Sequence, residues 1–292
     1  MPEKSNIPAG SLSIVLPAKN ESRGLAGVLP DLKQRFPDAE IIVVDDGSVD
    51  ETAALCQSLG VKVVRHAYAK GNGAAIKSGA RQASGEFIVF MDADGQHDPA
   101  DISRLLAKLA EGYDMVVGAR RRGSQASVGR GIANGLYNRL ASYVAGHKIE
   151  DLTSGFRAVR ADKFREFLYL LPNGFSYPTT STMAFFRAGY SVAYEPITAA
   201  KRVGSSHIRL VHDGVRFLLI IFRIGTLYSP LKIFGPVALL MFLLASGWYA
   251  VTFVSTGRFT NMSALLYSGS VMVLLMGLIS EQITALMYKG ER

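Results

Sequence analysis

Two carboxylates, Asp92 and Asp94, stand two residues apart where the apolar run 87–91 gives out, and Gly95-Gln96-His97-Asp98-Pro99 follows them. Carboxylate oxygens are hard ligands suited to Mg2+ or Mn2+, and a divalent ion held by few protein groups keeps positions open for substrate phosphates. The spacing allows nucleotide-diphosphate chemistry; the same tripeptide can also simply cap a turn and the helix after it. Two further polar clusters raise the same question: Pro17-Ala18-Lys19-Asn20-Glu21 and Asp45-Asp46-Gly47-Ser48.

Each cluster follows a short β-branched run. Such runs cover 12–16, 40–44, 61–65, 87–91 and 115–117, and helical patterns separate them. This alternation predicts βαβ units and an α/β domain around a mixed, mostly parallel sheet. Stretches such as Ile41-Ile42-Val43-Val44 are apolar throughout, as strands covered on both faces are. All three clusters would then gather at one sheet edge, beyond the strand ends where open α/β sheets bind ligands. Ser48-Val49-Asp50-Glu51 reads as a capping box, and Asp98-Pro99 as an N-cap followed by proline at the first helical position. Lys70-Gly71-Asn72-Gly73-Ala74-Ala75-Ile76-Lys77-Ser78 ends like a phosphate-binding P-loop, but Ile76 stands where the last glycine must be. ATPase and dinucleotide readings lose their main support there, while a turn with Lys70 near a phosphate stays open.

The 292 residues are 49% hydrophobic, and the apolar residues concentrate in the C-terminal quarter. The runs 233–254 and 264–281 have the length a helix needs to cross a bilayer and carry almost no charge, with Trp248, Tyr249 and Tyr267 near one end of each. A transmembrane hairpin is expected; two buried core helices are the alternative. Lys201, Arg202, Arg209, Arg216, Arg223 and Lys232 precede the first run, Lys289 and Arg292 follow the second, and Arg258 alone lies between. The positive-inside rule puts both chain ends in the cytosol. Residues 1–10 are polar and lack a signal-peptide apolar segment, so the large domain is expected to be cytosolic in an integral protein of the cell or inner membrane.

The net charge of +8 is explained by anionic headgroups and a phosphorylated substrate, with no nucleic acid required. The lone Cys56 excludes an intrachain disulfide and a cysteine-based zinc site. Arg209, Arg216 and Arg223 recur every seven residues, which predicts an amphipathic helix over 208–225 lying in the membrane interface; a core helix with a solvated stripe would show the same spacing. The expected organisation is a polar segment 1–10, a catalytic domain 11–207, a juxtamembrane region 208–230 and a hairpin 231–292.

Four ordered motifs resemble the family 2 glycosyltransferases of the GT-A fold, and among them the polyprenyl-phosphate enzymes. They are Leu16-Pro17-Ala18-Lys19-Asn20-Glu21, Val44-Asp45-Asp46-Gly47-Ser48-Val49-Asp50, Met91-Asp92-Ala93-Asp94-Gly95-Gln96-His97-Asp98-Pro99 and Thr153-Ser154-Gly155-Phe156-Arg157. The resemblance covers about 11–207. It implies a nucleotide-sugar donor, a polyprenyl-phosphate acceptor and inverting transfer on the cytosolic leaflet with Mg2+ or Mn2+; a homo-oligomer stays open. It assigns Pro17, Glu21, Asp46 and Lys70 to the nucleotide, and Asp92 and Ala93 to the ribose and diphosphate. Asp94 and Gln96, with Asp92, become metal ligands, and Arg120, Arg130, Asn134 and Ser154 the acceptor-phosphate site. Asp45 reads equally as a ligand or a turn former. Arg202-Val203-Gly204-Ser205-Ser206-His207 resembles the family's diphosphate-closing motif with histidine in place of lysine. Asp94 and Arg202 would then be the catalytic residues, stabilising the departing diphosphate. Phe175-Ser176-Tyr177-Pro178-Thr179 departs from relatives that carry an acid there. A phosphate acceptor, already ionised near neutral pH, needs no general base, and His97 and Asp151 are the only base candidates. The alternatives are a transferase acting on a glycolipid hydroxyl and a non-catalytic nucleotide-sugar-binding membrane protein.

Overall fold

A computed structural model describes residues 10–120, 128–174, 176–198, 222, 225–226 and 228–287, with backbone alone for 128–134, 136 and 287. The chain divides into two compact units, Met1–Arg139 with Ile149–Ile208, and Leu140–Lys148 with Arg209–Arg292. The predicted amphipathic helix over 208–225 falls almost wholly outside the described residues, as do Arg202, His207 and the side chains of Arg130 and Asn134.

The first unit holds a seven-stranded sheet in the order β3-β2-β1-β4-β6-β5-β7. Its strands are β1 (Leu12–Ala18), β2 (Glu40–Asp45), β3 (Lys62–Arg65), β4 (Phe87–Phe90), β5 (Met115–Arg120), β6 (Arg157–Arg160) and β7 (Val192–Ile197). The five runs read from sequence are the first five strands, each within a few residues of its expected ends. All neighbours pair in parallel except β6, which runs antiparallel to both β4 and β5. That reversal positions the site. With Phe90 opposite Arg157, the residues entering β6 stand at the edge where β1, β2, β4 and β5 end.

Helices cover both faces. Along α1 (Ser22–Arg35), Leu25, Val28, Leu29 and Leu32 are buried, and along α4 (Asp101–Ala110), Ile102, Leu105, Leu106 and Leu109 repeat the spacing. These apolar stripes join Ile14, Leu16, Val43 and Val89 in one core. On the other face α3 (Asn72–Gln82) approaches β1 so closely that a Cβ on Gly79 would stand 2.2 Å from a Val15 methyl carbon. Phe90 faces Phe164 of α6 (Ala161–Arg165) and Tyr177 of α7 (Tyr177–Ala188), at ring centroid distances of 4.7 and 6.4 Å.

Two cap expectations shift. The helix after β2, α2 (Thr52–Ser58), starts beyond the expected box, because Asp50 rather than Ser48 accepts the Thr52 N–H. Asp98 accepts from Ala100 in a turn, and the α4 helix begins only at Asp101.

In the second unit, α8 (Pro230–Thr256) and α9 (Asn261–Met287) form an antiparallel hairpin, with α5 (Val128–Ala145) entering this unit at its C-terminal end. Both hairpin helices are long and apolar enough to cross a membrane. At 1.5 Å per residue, 27 residues extend about 40 Å, beyond a hydrocarbon core of about 30 Å. Between them Tyr267 donates to Ser246 Oγ at 3.0 Å and Ser270 Oγ to the Ala238 carbonyl at 2.8 Å. Buried Ala238 and Ala245 let the backbones approach, as small residues do between membrane helices.

Candidate active site

One pocket at this edge is built around Asp46, which is 4% exposed at the end of β2. Its Oδ1 accepts from His66 Nδ1 at 2.7 Å and the Lys70 N–H at 2.8 Å, and its Oδ2 from the Gly71 N–H at 2.8 Å. Burial alone would raise its pKa; His66 and the two amides outweigh burial and hold it below the ordinary carboxylate value. The carboxylate thereby folds the 67–71 loop against β2. Gly47 permits this closure: its φ is +70°, and a Cβ there would meet Ala69 N at 2.7 Å. The result is a pocket of about 440 Å³ lined by Pro17, Lys19, Asp46, Lys70, Gly71 and Asn72 among others. Pro17, Asp46 and Lys70, which the sequence assigned to the nucleotide, meet here. Glu21 instead precedes the first turn of α1, its N–H donated to Thr52 Oγ1 at 3.1 Å. Asp45 takes the Ser48 N–H at 2.8 Å, the turn-forming role.

His66 was not singled out from the sequence. Buried at 6% exposure, it bridges Asp46 and Ser78 Oγ, the latter at 2.8 Å from Nε2. An ionised Asp46 requires Nδ1 to donate, so a neutral ring accepts the Ser78 hydroxyl proton at Nε2. The Lys70–Ser78 stretch acquires a definite meaning too. The N–H groups of Gly73 and Ala74 at the start of α3 donate to the Gly174 and Asn173 carbonyls, at 3.1 and 2.8 Å. Cβ atoms at Gly71 and Gly73 would meet Asn173 O at 2.5 Å and Pro172 O at 2.0 Å. These glycines admit a neighbouring backbone, and the helix start is capped by protein carbonyls.

At the end of β4, Asp92 opens onto a smaller cavity of about 140 Å³ with Asn72, Thr153, Gly155, Ser176 and Tyr177. Asn72 also lines the 440 Å³ pocket, so the two adjoin. His97 Nε2 lies 3.6 Å from Asp92 Oδ2, and its ring stacks on Phe156 at 4.8 Å. This packing binds the Asp92–Pro99 loop to the Thr153–Arg157 motif. Asp94, 8% exposed, and Gln96 line a different cleft of about 580 Å³ with Arg23 and His97. Ala93 is pinned from below: a Cβ on Gly24 would come within 2.2 Å of its carbonyl oxygen. The predicted metal ligands thus divide, Asp94 and Gln96 on one cleft and Asp92 on another.

Arg120, at the end of β5, forks onto Asp151 through Nε and one terminal nitrogen at 2.8 and 2.9 Å, and reaches Thr153 Oγ1 at 2.6 Å. Asp151 also accepts the Thr153 and Ser154 N–H groups, both at 3.1 Å. Burial pushes its pKa up, but Arg120 and these amides hold the net value below the ordinary range. Ser154 Oγ is buried and has no hydrogen-bond partner among the described residues. Beneath the motif Arg157 is fully buried, donating to Pro178 O at 2.9 Å, Ser181 Oγ at 2.7 Å, Thr182 Oγ1 at 3.1 Å and Ser154 O, with Tyr177 5.6 Å from its guanidinium carbon. Burial lowers its pKa. The sequence placed Arg157 in a motif without indicating that it is a buried cation held by neutral acceptors.

Comparison with known proteins agrees with this architecture. The model of glycosyl transferase family 2 matches residues 13–168, and that of the GtrB C-terminal hairpin matches residues 229–286. Glycosyltransferase AglJ of Haloferax volcanii is 28% identical over 234 residues, 78% of this chain and 76% of that one. The polyprenol monophosphomannose synthase of Mycolicibacterium smegmatis is 29% identical over 209 residues, 65% of this chain and 77% of that one. Among solved structures, glucosyl-3-phosphoglycerate synthase from Mycobacterium tuberculosis, in complex with Mn2+, UDP and glucosyl-3-phosphoglycerate, superposes with a TM-score of 0.56 at 25% identity, covering 72% of this chain and 79% of that one. A family match across more than half the chain, on a mixed sheet whose strand ends gather its four motifs, means that this protein belongs to glycosyl transferase family 2.

Proposed function

We propose that this glycosyltransferase moves a sugar from a nucleoside-diphosphate donor to a polyprenyl phosphate on the cytosolic leaflet, with inversion and with a divalent cation. The acceptor class is supported by the polyprenol monophosphomannose synthase relative and by the hairpin match. The donor is supported by the UDP and Mn2+ of the solved relative. The observation that carries the reading is the state of Asp151. Its carboxylate is consumed by Arg120 and two backbone amides and held ionised, so it is a poor proton acceptor. The other base candidate, His97, is stacked on Phe156 beside Asp92. A phosphate monoester acceptor, with a second pKa near ~6, attacks without giving up a proton. One of its oxygens bonds to the anomeric carbon as the bond to the donor diphosphate breaks, and no base enters the balance.

The donor set fits Mg2+ or Mn2+. Among the described residues no three His, Cys, Asp or Glu side chains converge on a metal-sized site. A carboxylate and an amide oxygen on one broad cleft, Asp94 and Gln96, are the few hard ligands that leave room for diphosphate oxygens and water. When bound, the cation would offset the charge gathering on the leaving diphosphate. Pro17, Asp46 and Lys70 would seat the nucleotide, with Glu21 at the start of α1 and Asp92 and Ala93 toward the ribose and diphosphate. Arg120, Arg130, Asn134 and Ser154 would receive the acceptor phosphate, and Arg202 would close on the diphosphate. For Arg120 this uses the guanidinium edge turned away from Asp151.

The test is a panel of nucleotide sugars assayed with a polyprenyl phosphate, the corresponding alcohol and a glycolipid, each with and without Mn2+. Turnover only on the phosphate, abolished in a folded Asp94→Ala variant, is expected. Equal use of the alcohol overturns the base-free reading, and undiminished turnover by Asp94→Ala overturns the metal assignment.

A further inference from the structure

Residues 146–156, between α5 and β6, belong to no helix or strand, yet they carry Asp151, the partner of Arg120. Hydrogen bonds from outside the segment must therefore fix its place. Asn138 of α5 supplies two of them, one on each side of Asp151. Its Nδ2 donates to the Glu150 carbonyl at 2.7 Å, and its Oδ1 accepts the Leu152 N–H at 3.2 Å. One end of an amide only donates and the other only accepts, so this pairing admits a single orientation of the side chain. The neighbouring Tyr137 donates to Thr179 Oγ1 at 3.1 Å, and Thr179 Oγ1 donates to the Leu152 carbonyl at 3.4 Å. Asp151 and Leu152 are buried, so water does not readily replace these bonds. All of these residues lie in the first unit.

We propose that Asn138 is a positioning residue for the acceptor phosphate, setting Arg120 in register with the face of α5 that carries Arg130 and Asn134. The inference deepens the acceptor site proposed above and rests on it. Positions 130, 134 and 138 follow at i, i+4 and i+8, and so share one face of the helix. A phosphate is gripped most firmly when guanidinium donors from separate elements are held at a fixed spacing. Arg120 comes from β5 and Arg130 from α5, so their spacing depends on what ties those elements together. The chain of contacts is continuous: Asn138 holds the backbone on both sides of Asp151, and the Asp151 carboxylate holds the Arg120 guanidinium in a fork at 2.8 and 2.9 Å. Asn138 thus acts through Asp151 and not by meeting the lipid.

The test is steady-state kinetics of the full-length protein with undecaprenyl phosphate in detergent micelles, at saturating concentration of the nucleotide sugar that the panel selects. Asn138→Ala should raise KM for the lipid about tenfold, the size expected for losing two neutral hydrogen bonds, with kcat within about twofold and the nucleoside-diphosphate Kd unchanged in calorimetry. Asn138→Leu keeps the shape of asparagine without its polar ends and should do the same; it carries the test if a thermal melt shows the alanine variant to be unfolded. A residue that merely braced the fold would lower kcat and donor affinity together. In an Asp151→Asn background the further change Asn138→Ala should move KM by less than about twofold, because the link it supports is already cut. KM unchanged in the Asn138 variants, with Arg120→Ala raising it, overturns the proposal and leaves the acceptor reading intact. Full additivity of Asn138→Ala with Asp151→Asn overturns the proposal as well. KM unchanged in Arg120→Ala overturns the acceptor reading and this inference with it.

Discussion

Replacing His66 by alanine should weaken donor binding while sparing the acceptor side. The imidazole supplies Asp46 with the shorter of the two hydrogen bonds on Oδ1, and the remaining bonds on that carboxylate come from the loop carrying Lys70 and Gly71. A hydrogen bond to a charged group contributes about 1.5–3 kcal/mol, so loss of this one, felt as a less ordered loop, corresponds to a roughly ten- to hundredfold rise in donor Kd. The isosteres separate the bond from the bulk. Asparagine places an amide N–H where Nδ1 stands and should retain most of the affinity; glutamine reaches toward Ser78 and should behave like alanine. Calorimetric titration with the tightest of a panel of nucleoside diphosphates measures the effect, beside a thermal melt of each variant. Alanine binding within twofold of the parent would refute the reasoning, as would equal losses for asparagine and glutamine.

Asp151→Asn should release Arg120 from its bidentate partner and lower kcat/KM for the lipid acceptor by at least tenfold, with donor affinity unchanged in direct binding. Gly73→Ala forces a methyl against Pro172 O and displaces the 172–174 loop from α3; a loss of about 1–3 kcal/mol in a urea titration is expected, as for an overpacked interior. Glu40 ties β2 to Lys62 of β3, to Ser13 and to Ser84; although burial opposes ionisation, these partners push its pKa down to about 2. Because the folded value lies below the ordinary one near 4.5, its stabilisation is complete above that pH and fades as pH falls toward 2. Melting curves of the parent and Glu40→Gln should therefore converge across that window and differ by a constant amount above it.

Four of the five strands that sequence reading located, β1, β2, β4 and β5, are buried almost throughout, where the pattern is a plain apolar run; β3, half-buried at the sheet edge, is carried by its adjacent valines. The two it missed are short or polar. Four-residue β6 begins and ends with arginine, and β7 carries Glu195 and Pro196, a composition tolerated because it is the sheet's last strand. Missing β6 also hid why the Thr153–Arg157 motif meets Asp92, since only an antiparallel strand beside β4 starts at that edge. His66 escaped because its partners are 20 and 12 residues away, and nothing local marks a buried histidine between Arg65 and Ala67. The glycines at 71 and 73 raised a phosphate expectation because glycine serves close approach of any group. Whether that group is a phosphate or the backbone of 172–174 depends on a contact about 100 residues distant, beyond the reach of local pattern reading.

The acids at the working edge have a shared electrostatic consequence. Asp46 and Asp151 accept backbone N–H groups from the loops they organise, and such bonds favour the ionised form. With Asp92 and Asp94 beside them, the strand ends carry a concentration of negative charge that a diphosphate would avoid. Lys19 and Lys70 in the pocket around Asp46, Arg120 across from Asp151 and the buried Arg157 supply opposing charge. Lys19 and Lys70 lie in that pocket, while Asp94 and Gln96 open on a separate cleft where, among the described residues, Arg23 is the arginine or lysine. A divalent cation held there would neutralise the part of the edge that the described cations serve least. The acids gathered at this edge are thus the physical reason for the proposed metal, and the proposed acceptor arrives already ionised.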